Sequence, residues 1–135
     1  MTARMTAADR EKMYTDYLRA EGYRPDMEQD GSVAFKKGNQ TYFIVVDDDS
    51  QFFMLMLPWR SFKGDKALAA KALKAALHAT DKSKVAKVYV QDDDALFITV
   101  QLFIEPPELF RNVIRRCMTA LDDAGQYYEE AMAQG

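Results

Sequence analysis

Phe52-Phe53-Met54-Leu55-Met56-Leu57 is apolar at every position. Successive residues of a strand point to opposite faces, so a strand of this composition is covered on both sides and sits centrally in its sheet. With Pro58-Trp59 behind it, the run is far too short to span a bilayer. One face needs the chain's own helices, and the other needs a further helix or a partner subunit.

The flanking segments supply the rest of the sheet. Residues 41–46 (TYFIVV) are β-branched and aromatic, a strong strand. Residues 32–37 alternate weakly around Val33 and Phe35, and Lys37-Gly38-Asn39-Gln40 joins the two with residues that tolerate positive φ. Asp47-Asp48-Asp49-Ser50 makes the next reversal, into the apolar run. Further on, residues 84–90 and 95–104 read as a hairpin around Asp92-Asp93-Asp94. Leu96, Ile98, Val100, Leu102 and Ile104 line one face of its second strand, and Phe97, Thr99, Gln101 and Phe103 line the other.

Helices frame these strands. Thr6-Ala7-Ala8-Asp9 is a capping box with Asp in place of Glu, and Met13, Tyr14, Tyr17 and Leu18 form the apolar face behind it. Gly22 stops that helix and Pro25 prevents its continuation. Asp65 caps a second helix to about residue 79, with Leu68, Ala69, Ala72, Leu73, Ala76 and Leu77 on one broad arc. Pro106 and Pro107 open the last helix, whose stripe runs Phe110, Val113, Ile114, Cys117, Leu121, Ala124, Tyr128. The order helix, three strands, helix, two strands, helix gives an α+β fold with a five-stranded antiparallel sheet. No repeat or linker interrupts it, so residues 1–135 read as one domain.

Composition agrees, since 48% hydrophobic and 29% charged residues is the balance of a globular chain rather than a disordered one. Residues 1–12 hold no apolar stretch of the kind a signal peptide needs, and a cytoplasmic location is expected. The net charge of −3 hides an asymmetry. Residues 60–90 carry eight lysines and arginines against Asp65 and Asp81, a net of +6, which leaves −9 on the remainder. A distribution of this kind biases how a charged partner or a second copy approaches.

No chemistry-bearing constellation overlies the pattern. The aspartate triplets lack the alternating ligands, central glycine and distal glutamate of a calcium loop, and solvated turns account for them. His78 falls among the lysines of the second helix, where the helix dipole is reason enough for it. Cys117, the single cysteine, lies on a buried stripe, which excludes an internal disulfide, a cysteine zinc site and a reactive thiol. No phosphate-binding glycine loop, dinucleotide fingerprint, nucleophile elbow or zinc-protease helix is present, so no catalytic residue, metal or cofactor is expected. The lysine-rich stretch suggests nucleic acid, but the chain is acidic (pI near 5.2) and that face has no aromatic residues for stacking bases.

The element order, the Glu21-Gly22-Tyr23 helix exit, the hairpin over residues 33–46 and the apolar run that follows together resemble two related groups. These are the type III secretion chaperones and the YbjN-like family of bacterial regulators. The resemblance covers roughly residues 6–128 and rests on topology and hydrophobic pattern. It implies a small cytoplasmic homodimer, without catalytic residues, that holds an extended partner segment on an apolar sheet surface. The basic second helix departs from the uniformly acidic character of such chaperones.

The expectation is therefore a non-enzymatic protein-binding module, a chaperone or adaptor whose partner the sequence does not name. Met54, Met56, Trp59, Phe97 and Phe103 are the expected partner-binding residues. Leu68, Ala72, Leu73 and Ala76, with the hairpin that follows, are the expected homodimer contact. Two alternatives stand beside it: a YbjN-like regulator acting by association, and a small-ligand binder or enzyme with a pocket between sheet and helices.

Overall fold

The computed structural model describes residues 5–92 and 94–134. Its elements run α1 (Ala7–Ala20), β1 (Asp26–Met27), β2 (Val33–Lys37), β3 (Gln40–Val45), β4 (Phe52–Ser61), α2 (Lys66–Lys82), β5 (Ala86–Gln91), β6 (Ala95–Phe103), a 3-10 helix (Pro107–Asn112) and α3 (Ile114–Gln134). The strands form one antiparallel sheet in the order β1-β2-β3-β4-β6-β5, which puts the doubly apolar β4 in the interior of the sheet. The α+β class stands, and the sheet has six strands rather than five.

The sixth strand is β1. Two residues carry no readable periodicity, and what makes them a strand is the turn beyond. Asp30 accepts hydrogen bonds from the Ser32 backbone N–H (2.9 Å) and hydroxyl (2.7 Å), while Gly31 adopts φ +88°. Glu28 N–H then reaches the Ser32 carbonyl at 2.9 Å, setting Met27 against Val33 and Asp26 against Ala34. Two further boundaries differ from expectation. Strand β4 continues past Pro58 to Ser61, and the two prolines open a 3-10 turn instead of α3 itself.

Two compact units make up the chain, Met1–Leu55 with Gln101–Arg115 and Met56–Val100 with Arg116–Gly135. In the first, Thr6 and Asp9 cap α1 reciprocally (3.0 and 3.1 Å). At its other end Tyr23 N–H bonds Leu18 O and Gly22 N–H bonds Arg19 O, the paired geometry that a positive-φ Gly22 permits. Tyr14 packs edge-on against Phe53 and Phe110, and Phe35 stacks on Tyr42 (5.5 Å), around fully buried Leu18, Val33, Ile44 and Leu55.

In the second unit, Asp65 caps α2 through Leu68 N–H (3.0 Å). The buried face of α2 is all alanine: Ala69, Ala72, Ala75, Ala76 and Ala79. Small side chains let the helix lie close on β5, close enough for the Thr80 hydroxyl to take the Val88 N–H (2.8 Å) and meet the Val88 carbonyl (3.1 Å). Leu96, Ile98 and Val100 of β6 and Met118, Leu121 and Ala124 of α3 belong to the same unit's core.

Candidate functional site

Burial along β4 alternates as a strand with one closed and one open side requires. Phe53, Leu55 and Leu57 are fully buried, while Phe52, Met54 and Met56 are only half-buried. In the first unit the open side holds a compact apolar patch. Phe103, at the end of β6, is 78% exposed, and its ring lies 6.0 Å from that of Phe52, tilted by 59°. Beside them the Gln101 amide sits 3.7 Å from the Met54 sulfur. Exposing a whole phenylalanine forgoes about 1.5–3 kcal/mol of burial, so a residue of this kind marks a surface that gains by being covered. In the second unit Met56 and Phe97 are half-buried, with Phe97 stacked on Tyr89 at 5.8 Å and 26°.

Trp59 does not join these residues. Because β4 extends beyond Pro58, alternation puts Trp59 on the side of Leu55 and Leu57. There its indole covers Gly125 of α3, where a built Cβ would lie only 2.5 Å from the ring. Its Nε1–H donates to Glu129 at 2.8 Å, and Arg60 bridges the same carboxylate at 2.5 Å. Trp59 is thus committed to its own chain.

The expected dimer residues divide the same way. Ala72 and Ala76 are fully buried within the chain and offer a second copy nothing. Leu68, Leu73 and Leu77 are exposed, the last two by 52% and 67%, one helical turn apart. Leu77 was not among the expected contacts, although the helical arc contained it.

The sheet's two margins differ. At β5 the outward-facing polar groups of Val88 are occupied by Thr80, so that edge is closed at its middle to an added strand. At the other margin β1 pairs only with Val33 and Ala34, whereas β2 continues to Lys37. The register makes Asp26 and Ala34 a hydrogen-bonded pair, so the next outward-facing N–H and C=O are those of Lys36, beyond the end of β1. A cavity of about 520 Å³, lined by Tyr23, Arg24, Phe35, Lys36 and Thr41 among others, lies along this stretch.

Chemical machinery is not assembled among the described residues. No group of three potential metal ligands comes together there. Asp47 and Asp49 spend side-chain oxygens on the backbone N–H groups of Asp49 and Gln51 (both 2.9 Å), ordinary turn bonds. Asp93, the centre of the second triplet, lies outside the described residues. His78 is exposed, and Cys117 is buried, with burial pushing its thiol pKa up and away from reactivity. No helix among the described residues is long and apolar enough to cross a membrane.

Comparison with protein-family models finds no match, and comparison with curated proteins finds none either. Solved structures do match. YbjN from E. coli, a candidate transcription regulator, superposes with a TM-score of 0.64 at 14% identity, covering 91% of each chain. A chain of the ExsC–ExsE complex gives 0.59 at 7% identity, covering 93% of this chain and 96% of its own. A chain of the HopA1–SchA chaperone–effector complex gives 0.56 at 15%, covering 89% and 95%. At these identities the likeness is one of fold, and the fold is the one that YbjN shares with chains of the ExsC–ExsE complex and the HopA1–SchA chaperone–effector complex.

Proposed function

We propose that this protein is a non-enzymatic binding module that takes up an apolar segment of another protein on the open side of its sheet. The observation that carries the reading is Phe103, a large aromatic residue 78% exposed at the end of a regular strand, beside half-buried Phe52 and Met54. A methionine and two phenylalanines form an adaptable apolar surface, suited to partner side chains of varied shape. The open stretch of β2 at Lys36 offers main-chain hydrogen bonds to an extended segment, and the closed β5 edge does not. Similar folds in the HopA1–SchA and ExsC–ExsE complexes support a protein partner.

The decisive test is capture of partners by the wild-type protein and by Phe103→Asp and Met54→Asp, with each variant's stability measured alongside. Phe103 is exposed enough to tolerate a charge without unfolding, and the melting transition of the Met54 variant checks the same for a half-buried position. A charge at the centre of an apolar interface, by contrast, costs about 2 kcal/mol or more, roughly thirtyfold in affinity. Loss of the partner with an unchanged melting transition is expected. Full partner binding by both variants overturns the reading.

A second reading, a YbjN-like regulator acting by association, here taken as association with a second copy of the chain, is favoured by one separate observation. Leu73 and Leu77 stand exposed on α2. Self-association through that helix is compatible with partner binding by the open sheet side and is tested on its own below.

A further inference from the structure

Where α2 ends and β5 begins, a cleft of about 320 Å³ is lined by Lys82, Lys84, Arg116, Asp123 and Tyr127. Three cations and one carboxylate face a single concavity, and the local structure accounts for only one of the cations. Lys82 sits in the last turn of α2, where a cation complements the helix dipole. It also lies 4.7 Å over the Tyr127 ring and 4.0 Å from Glu130. Arg116 has no such reason. It occupies the first turn of α3, the end at which the helix dipole disfavours positive charge, and that turn contains no acidic residue. Lys84 belongs to the short link between α2 and β5. Among the described residues the side chains of Arg116 and Lys84 form no hydrogen bond or ion pair.

The carbonyl end of α2 also lies here, and the residue that follows the helix ties back part of it. Ser83 N–H bonds the Ala79 and Thr80 carbonyls (3.0 and 3.2 Å), and the Ser83 hydroxyl bonds Ala79 again at 2.7 Å. The cleft lining carries an excess of positive charge, three cations against the carboxylate of Asp123, and like charges sharing a concavity raise each other's energy until an anion enters.

We propose that this cleft is a binding site for a small multivalent anion, with Arg116 as the planar two-donor ligand and Lys84 and Lys82 as point charges around it. Its volume suits a compact molecule bearing phosphate or carboxylate groups. The site is independent of the apolar sheet surface and survives if that reading fails.

Titration calorimetry with inorganic pyrophosphate and, separately, citrate at low ionic strength tests it. Saturable binding of one anion per chain is expected for at least one of the two probes, and which probe binds names the phosphate or the carboxylate source. Arg116→Gln and Lys84→Gln should each weaken binding about tenfold, the effect of losing one charge-assisted contact. Lys71→Gln, on α2 away from the cleft, should leave it unchanged, and Asp123→Asn should tighten it severalfold by removing the carboxylate that lines the cleft. Absence of saturable binding by either probe overturns the proposal. So does equal weakening by Lys71→Gln, which would reduce the effect to diffuse charge.

Discussion

Gly125 and Trp59 are the pair of residues on which the sequence is most easily misread. A glycine inside a 21-residue helix normally costs about 1 kcal/mol against alanine, so Gly125→Ala should stabilise α3 on propensity alone. Here the added methyl would stand 2.5–2.7 Å from three atoms of the Trp59 ring, and the ring is held by Glu129 and cannot slide freely. Overpacking of this kind costs about 1–3 kcal/mol, which exceeds the gain. Gly125→Ala should therefore lower the denaturant midpoint. Because Trp59 is the sole tryptophan, its emission should shift in the same variant. A variant as stable as wild type would show that the ring moves aside cheaply. Arg10 shows the converse problem, a cation that no pattern marks as interior. It is 1% exposed, donates one Nη2–H to the Asp47 carbonyl, and leaves Nε and Nη1 without partners among the described residues. Beside it the Tyr14 phenol has its pKa raised by burial, with the guanidinium pulling the other way.

At the scale of elements, the Thr80–Val88 contact decides how the sheet ends. One hydroxyl satisfies both outward-facing groups of a β5 residue, which does for an edge strand what a further strand would otherwise do. Thr80→Val keeps the shape and removes the oxygen. It should cost about 1–3 kcal/mol, because the Val88 N–H and C=O lose their partner while α2 still hinders water from replacing it. Hydrogen exchange should localise the loss to the Val88 amide, and unchanged protection there would mean that the bond contributes nothing. Legibility in the sequence followed the range of the interactions. The α1 cap and its Gly22 exit were readable because they are contacts over three to five residues, and β3, β4 and β6 because their composition is strong. Strand β1 was not readable, since its pairing depends on a five-residue turn. The arc of α2 was readable only as a whole. A helical wheel cannot say which part of a broad apolar arc faces inward, and close packing on β5 selected the alanines and left Leu73 and Leu77 outside. Trp59 was misplaced for a related reason, since proline marked an apparent strand end that the sheet does not observe. Met54 and Phe103 were readable as strand positions free of the closed side, and their exposure bears on the proposed site without testing it.

At the scale of the whole molecule, charge and apolar surface make separable claims about self-association. Residues 60–90 carry +6 against −9 elsewhere, so two copies attract one another if the basic stretch of one meets acidic surface on the other. The exposed leucines of α2 lie within that same stretch, and either feature alone could drive pairing. Salt separates them, because a Debye length of about 10 Å at 0.1 M shrinks to about 3 Å at 1 M and screens surface charge while leaving apolar contact intact. If the leucines carry the association, wild type sediments as a dimer whose dissociation constant changes less than about tenfold between low and high salt. Leu77→Glu, placing a charge at the most exposed leucine, then weakens it by roughly thirtyfold or more, the effect of losing a central contact. If charge carries it, salt dissolves the dimer and Leu77→Glu has the smaller effect. A wild-type chain that stays monomeric at millimolar concentration removes the homodimer from consideration and leaves the leucine pair on α2 as a surface for a different protein.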